Sequence, residues 1–347
     1  MVSLQRAAVG CEFAILIIAE DGRTLQPRIR MFNMAPTASV TRLSPAHQRW
    51  TLDDIPWQSI DRSAVADWEL LFYLATTASF IETATDTYAH NLIEYYAGDV
   101  EATAWLEQHW QHEELQHGRA LKRYVQTAWP DFDWDAVYRA FFAEFSANCV
   151  AEALEPSRCL EMVSRCIVEM GTSSYYTSLS NLSPDPVLSL LTRLIREDEV
   201  RHYKYFYRYF LRYREHEHVG RWKIFKAVLH RLRMIDGEDS SIALKHAYGV
   251  RHPGAPFNDR VYRTIQKQGR YLLGPHFPHE MSVKMALKPL DLNPRFQKML
   301  APVIAFLSRC LLWGESGALL KSHVQLYAGF YLWARRQALA QWARFAD

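Results

Sequence analysis

The chain has 347 residues, 49% apolar and 22% charged, with 11 Trp, 18 Tyr and 17 Phe against sparse Gly and Pro. That balance excludes a disordered chain and disfavours a turn-rich β protein, and it allows one large or two modest domains with a sizeable core. The net charge of +2 conceals a split, because Lys204 to Arg270 holds 15 basic against 6 acidic residues and the remainder holds 25 against 32.

Such a basic stretch suits an anionic partner (an acidic carrier protein, a nucleic acid or a membrane surface), or else it is a solvated helical surface. The five cysteines are scattered without a Cys-x-x-Cys pair. They predict a reducing, cytoplasmic setting without disulfides or a thiolate zinc site.

In chain order, residues 1–55 read as a partly disordered N-terminal extension. Its apolar run, residues 13–19, is short and flanked by Glu12 and Glu20, so it fits neither a signal peptide nor a membrane span. Met31 and Met34 stand as alternative starts. Residues 36–62 are loop-like, with Pro36, Pro45 and Pro56. Ser63 to Tyr96 has a helical period and ends at Gly98, and Asp99 can cap a second helix that runs to about Trp129. A shorter helix is expected from Asp133 to about Cys149, a third long one from Pro156 to about Leu182, and a fourth from Val187 to about Glu217 after Pro184-Asp185-Pro186. Shorter helices follow, including 295–313 and 316–345, and no stretch alternates with period two. The expectation is an all-α fold: a four-helix bundle over 56–218 with a long crossover between the second and third helices, and a helical C-terminal extension, 219–347, packed on it.

Two places hold the pattern Glu-x-x-His: Glu114 with His117 and Glu199 with His202. With 21 Glu and 14 His in the chain, about one such match arises by chance, and a third, Glu215 with His218, also occurs. Spelling alone decides nothing. Surroundings decide more. The fourth-helix face reads Leu188, Leu191, Ile195, Glu199, His202, Phe206, Tyr209, so the polar pair interrupts an apolar stripe. Glu215 falls on nearly the opposite side of that helix.

Glu82 interrupts a similar stripe from Leu71 to Ile93, and Glu169 one from Met162 to Tyr176. Burying a carboxylate without a partner costs several kcal/mol, so each core-facing Glu needs a cation. Heights agree as well. Glu82 and Glu114 lie 16 residues either side of Gly98, and Glu169 and Glu199 lie 15 either side of Pro184, so each hairpin presents its pair at one level.

Four carboxylates and two imidazoles at one height suit two metal ions, iron or manganese rather than a thiolate-seeking metal. A Glu from each of two helices plus Glu-x-x-His from each of the other two is the recurring ligand pattern of di-iron helical bundles. Glu82, Glu114, His117, Glu169, Glu199 and His202 are the predicted ligands. The competing reading makes them buried ion pairs with Arg or Lys.

With that set in place, the chain resembles the ferritin-like di-iron carboxylate oxidases, and most of all the soluble acyl-carrier-protein desaturases. Where those have Glu-Glu-Asn-Arg-His-Gly, this chain has Glu113-Glu114-Leu115-Gln116-His117-Gly118. Where they have Asp-Glu-Lys-Arg-His, it has Asp198-Glu199-Val200-Arg201-His202. The likeness covers about residues 55–215 and does not extend beyond 220.

The resemblance implies two Fe as cofactor, O2 as co-substrate, an external electron donor such as ferredoxin, an acidic acyl carrier protein docking on the basic segment, and a possible homodimer. It implies that Thr172, three residues after Glu169, assists oxygen activation. It implies that Asp198 joins a His ligand and an N-terminal Trp, either Trp57 or Trp68, in an electron relay. Phe72, Phe80 and Phe206 are expected either along an acyl tunnel or as ordinary core.

Two other readings keep the site or part of it. One is an N-oxygenase or other monooxygenase acting on a small metabolite or tRNA. It would use a seventh ligand such as His90 or His112, although no nucleic-acid module is recognisable. The other is a ferroxidase.

Overall fold

The computed structural model describes residues 49–149, 154–234 and 238–312, and among these all regular structure is helical. A short α1 (Arg62–Val65) leads into α2 (Glu69–Thr83) and α3 (Thr85–Tyr95). The expected single first helix is therefore broken at Ala84, whose amide donates to both Phe80 O and Ile81 O at 3.1 Å. Gly98, at φ +92°, turns the chain, and Asp99 caps α4 (Val100–Trp105) by accepting from the Ala102 amide at 3.1 Å. A five-residue π-helical segment, Leu106–Trp110, joins α4 to α5 (Gln111–Ala128).

The crossover contains α6 (Trp134–Phe145), capped by Asp133. Ser157 caps the 25-residue α7 (Arg158–Leu182). Asp185 caps the 32-residue α8 (Pro186–Glu217), with Pro186 in the first turn, where its missing amide proton costs nothing. Each cap satisfies amides that a helix start leaves unpaired.

The segment after 218 forms α9 (Arg221–Arg233), α10 (Glu238–Arg251), α11 (Asp259–Leu273), α12 (His279–Leu287) and α13 (Pro294–Leu312). These pack on the earlier helices: α9 and α12 against α7, α10 against α2 and α6, and α11 against both α2 and α7. The sequence-predicted helix at 316–345 lies outside the described residues, as do residues 1–48.

Four helices position the site. α2 packs on α5, with α3, the Gly98 turn, α4 and the π-helical segment between them in sequence; α7 packs on α8 across a short turn, and α5 also meets α8. The α2–α5 contact is close because residue 118 is glycine. A Cβ there would lie 2.7 Å from Thr83 Cα and N and 2.9 Å from the Glu82 carbonyl carbon.

Phe72, Phe80 and Phe206 are fully buried core. Phe72 meets Trp129 and Phe132 edge-on, Phe80 stacks on Phe141, and Phe206 meets Trp105 and Trp110 edge-on. Aromatic contacts of this kind consolidate packing. No helix of the described residues is long and apolar enough to cross a membrane.

Candidate metal centre

The stripes read from sequence do face inward. Leu188, Leu191, Ile195, Phe206 and Tyr209 are buried on α8 around Glu199 and His202, and Met162, Cys166, Ser173 and Tyr176 are buried on α7 around Glu169. On α2, Leu71, Ala75 and Ala78 lead to buried Glu82. Glu215 and His218, by contrast, are exposed.

The six predicted ligands come together as two overlapping groups, in each of which one ligand atom per residue lies within 4.8 Å of the others. One group is Glu82, Glu114, His117 and Glu199; the other is Glu114, Glu169, Glu199 and His202. Glu114 and Glu199 belong to both. All six residues are buried, at 6% exposure or less.

The imidazoles are held from behind. His117 Nε2 lies 3.2 Å from Asp198 Oδ2, and His202 Nε2 lies 2.7 Å from Glu113 Oε2. Both acids immediately precede a ligand Glu, and each serves the His of the opposite helix. Arg201 links the two, with Nη1 2.8 Å from Asp198 Oδ1 and Nη2 2.7 Å from Glu113 Oε1.

With each Nε2 so engaged, each Nδ1 is turned to the carboxylates. His117 Nδ1 is 3.3 Å from Glu199 Oε1, and His202 Nδ1 is 3.0 Å from Glu114 Oε1, yet neither nitrogen has a hydrogen-bonding partner. Glu199 Oε1 is likewise orphaned. Buried polar atoms are rarely left unpaired. These three converge within a shell of hard oxygen and imidazole donors, which fits a metal ion. Among the described residues no Lys or Arg lies within ion-pair distance of Glu82, Glu114, Glu169 or Glu199, and the basic groups that do lie so close to Glu114, Glu169 and Glu199 are the two imidazoles.

Electrostatics carry the same message. Burial, then the neighbouring Glu114 and Glu199, pushes Glu82 well above the ordinary carboxylate range; burial and Glu199 do the same to Glu169. For His117 burial works the other way, but Asp198 and Glu199 outweigh it and hold the ring well above its ordinary value. His202 is raised against its burial by Glu113 and Glu114. Glu199 is held low in spite of burial by its two imidazole neighbours. Without a cation, the cluster keeps protons where ligands need lone pairs.

Thr172 Oγ1 donates to Glu199 Oε2 at 2.9 Å, while also lying 3.2 Å from Glu169 O on its own helix. Asp198 stands where the resemblance puts it, but its tryptophan is Trp50. That indole donates to Asp198 Oδ2 at 2.8 Å and stacks parallel to His117 at 6.1 Å. Trp57 instead donates to Leu52 O at 2.7 Å under Arg123, and Trp68 packs against the core.

Sequence reasoning missed four contributors: Trp50, Glu113, Arg201 and Tyr176. The acidic doublets Glu113-Glu114 and Asp198-Glu199 carried a signal for Glu113. Tyr176, whose hydroxyl donates to Glu82 Oε1, stood in plain view on the α7 stripe as one more aromatic. His90 and His112 are exposed and add no ligand. No family model, curated protein or solved structure matches this chain.

Proposed function

We propose that the chain is an O2-dependent di-iron oxidoreductase of ferritin-like type that oxidises an unactivated C–H bond, by desaturation or hydroxylation, on a carrier-bound acyl chain. One observation carries the reading: two four-residue groups share Glu114 and Glu199. Two ions with two common carboxylates, one further Glu and one His each, account for every member. Four carboxylate charges then face four positive charges.

When bound, a pair of iron ions supplies the redox chemistry that activates O2. The chain's own residues do the rest. Glu82 and His117 would hold one ion, Glu169 and His202 the other, with Glu114 and Glu199 common to both; manganese fits the same donors. Asp198 and Glu113 fix the ring orientation of the two histidines and aim each Nδ1 at the ligand carboxylates, where a metal would displace its proton. Thr172 keeps a hydroxyl proton beside Glu199, where it can serve oxygen chemistry. The apolar residues around the cluster exclude water. Trp50 and Asp198 form a continuous contact from an indole to His117, suited to electron entry from an external donor such as ferredoxin.

The acyl carrier is read from the exposed face of α11, where Arg260, Arg263 and Lys267, beside the single acid Asp259, line one shallow groove, a surface suited to an acidic partner. The exposure of His90 and His112 gives the N-oxygenase reading no seventh ligand.

The test is anaerobic Fe(II) reconstitution followed by O2, with and without acyl-carrier-bound fatty acids. Two irons per chain and a modified acyl product are expected, with metal lost in Glu114→Ala and Glu199→Ala. Equal metal binding by wild type and both variants sinks the site. An oxidised centre without acyl product sinks the substrate.

A further inference from the structure

Tyr176 is 2% exposed and sits two turns beyond Glu169 on α7. Its phenol crosses to α2 and donates to Glu82 Oε1. Neighbouring Tyr175 also crosses from α7 to α2, donating to Leu74 O at 2.8 Å, about two turns before Glu82. A phenol has one proton to give, and here Glu82 takes it.

The other carboxylates are treated differently. Glu199 accepts from Thr172. For Glu169 and Glu114, the close polar neighbours among the described residues belong to the cluster itself, chiefly His202. Glu82 and Glu169, the two carboxylates found in only one group each, are therefore inequivalent: one is tied from outside and the other is not.

A carboxylate oxygen already holding a phenolic proton is a poorer metal donor than its twin. We propose that Tyr176 is a positioning residue that restricts Glu82 to a single metal–oxygen bond through Oε2, so that the Glu82–His117 position keeps room for a small exogenous ligand while Glu169 is free to bind through both oxygens. This rests on reading the cluster as a metal centre.

Co(II) is the probe, because five-coordinate Co(II) absorbs visible light more strongly than six-coordinate Co(II). Co(II)-loaded wild type should show the stronger absorption and should respond to azide. In Tyr176→Phe, with Glu82 released to chelate, absorption should weaken and azide affinity should fall about tenfold. Tyr175→Phe should leave both unchanged. An unaltered spectrum and azide response in Tyr176→Phe overturn the inference.

Wild type alone covers the case of a phenylalanine variant that does not fold: weak Co(II) absorption of the six-coordinate kind, indifferent to azide, means that no position is left open with Tyr176 in place, and the inference fails. Absence of Co(II) binding to wild type in equilibrium dialysis instead overturns the metal centre itself, so the two failures are distinguishable.

Discussion

The indole N–H of Trp50 reaches Asp198 Oδ2 at 2.8 Å, and its ring lies within 1° of parallel to that of His117. Asp198 thus hydrogen-bonds a tryptophan and a candidate metal ligand and ion-pairs with an arginine, and burial is outweighed by His117 and Arg201 in lowering its pKa. Trp50→Phe removes the donor and keeps most of the ring. Metal stoichiometry should stay at the wild-type value, while reduction of the oxidised centre by an external donor slows about tenfold or more. Stopped-flow absorbance reads this directly; unchanged reduction rates would mean that Trp50 serves only packing.

Arg201 faces two acids at once, Glu113 and Asp198, and its side chain is only 19% exposed. Arg201→Leu takes one cation from two buried carboxylates that still face His202 and His117, a change that costs about 1–3 kcal/mol. Lysine cannot reproduce the forked contact, so Arg201→Lys should recover only part of that loss. Urea unfolding of the metal-free protein measures it. A Leu variant within about 1 kcal/mol of wild type, on the order of a surface substitution, would show that the pair contributes little.

Glycine is required at residue 118 for space and at residue 98 for conformation. In Gly118→Ala the new methyl meets Thr83 and Glu82 backbone at under 3 Å, and backbone does not yield as a side chain would. The expected cost is about 1–3 kcal/mol, and metal affinity should fall with it, because α2 moves away from α5 and takes Glu82 with it. Gly98→Ala meets nothing within 4 Å but must adopt φ +92°. It should cost about 1–2 kcal/mol and leave metal affinity intact. Comparable metal loss in both variants would refute the distinction.

Much of the centre was legible because helices convert residue number into height. Gly98 and the Pro184–Pro186 break mark real turns, so counting outwards from them put Glu82 level with Glu114 and Glu169 level with Glu199. The coarse all-helical class followed from the same periodicity. What escaped depends on contacts that no period encodes. Trp50 precedes the first helix in a loop-like stretch, and only tertiary packing brings it over His117. The break at Ala84 lies beside the point where Gly118 lets α2 and α5 come close, a contact visible only with both helices in place. Tyr176 has a residue type that suits a core equally well, and its hydroxyl acquires meaning only from Glu82.

The cluster also sets a pH dependence that metal should abolish. Glu82 and Glu169 titrate above their ordinary 4.5, and His117 and His202 above 6.5. A group raised on folding binds its proton more tightly in the native state, so its contribution is complete below the unfolded value and disappears as pH climbs through the folded one. Glu113 and Glu199, held below 4.5, and Asp198, held below 3.8, act in the opposite sense, but only on the acid side. As pH climbs above about 6.5 the raised groups of the cluster therefore work in one direction, and the melting temperature of metal-free protein should fall steadily. Divalent ions take the place of those protons, so Mn(II)-saturated protein should lose much less over the same range, and binding should release protons, detectable as a calorimetric enthalpy that varies with buffer ionisation heat. A metal-free melting temperature that is flat or rising over that range, or a binding enthalpy indifferent to buffer, would mean that the buried carboxylates and imidazoles do not hold the protons that a cation must displace.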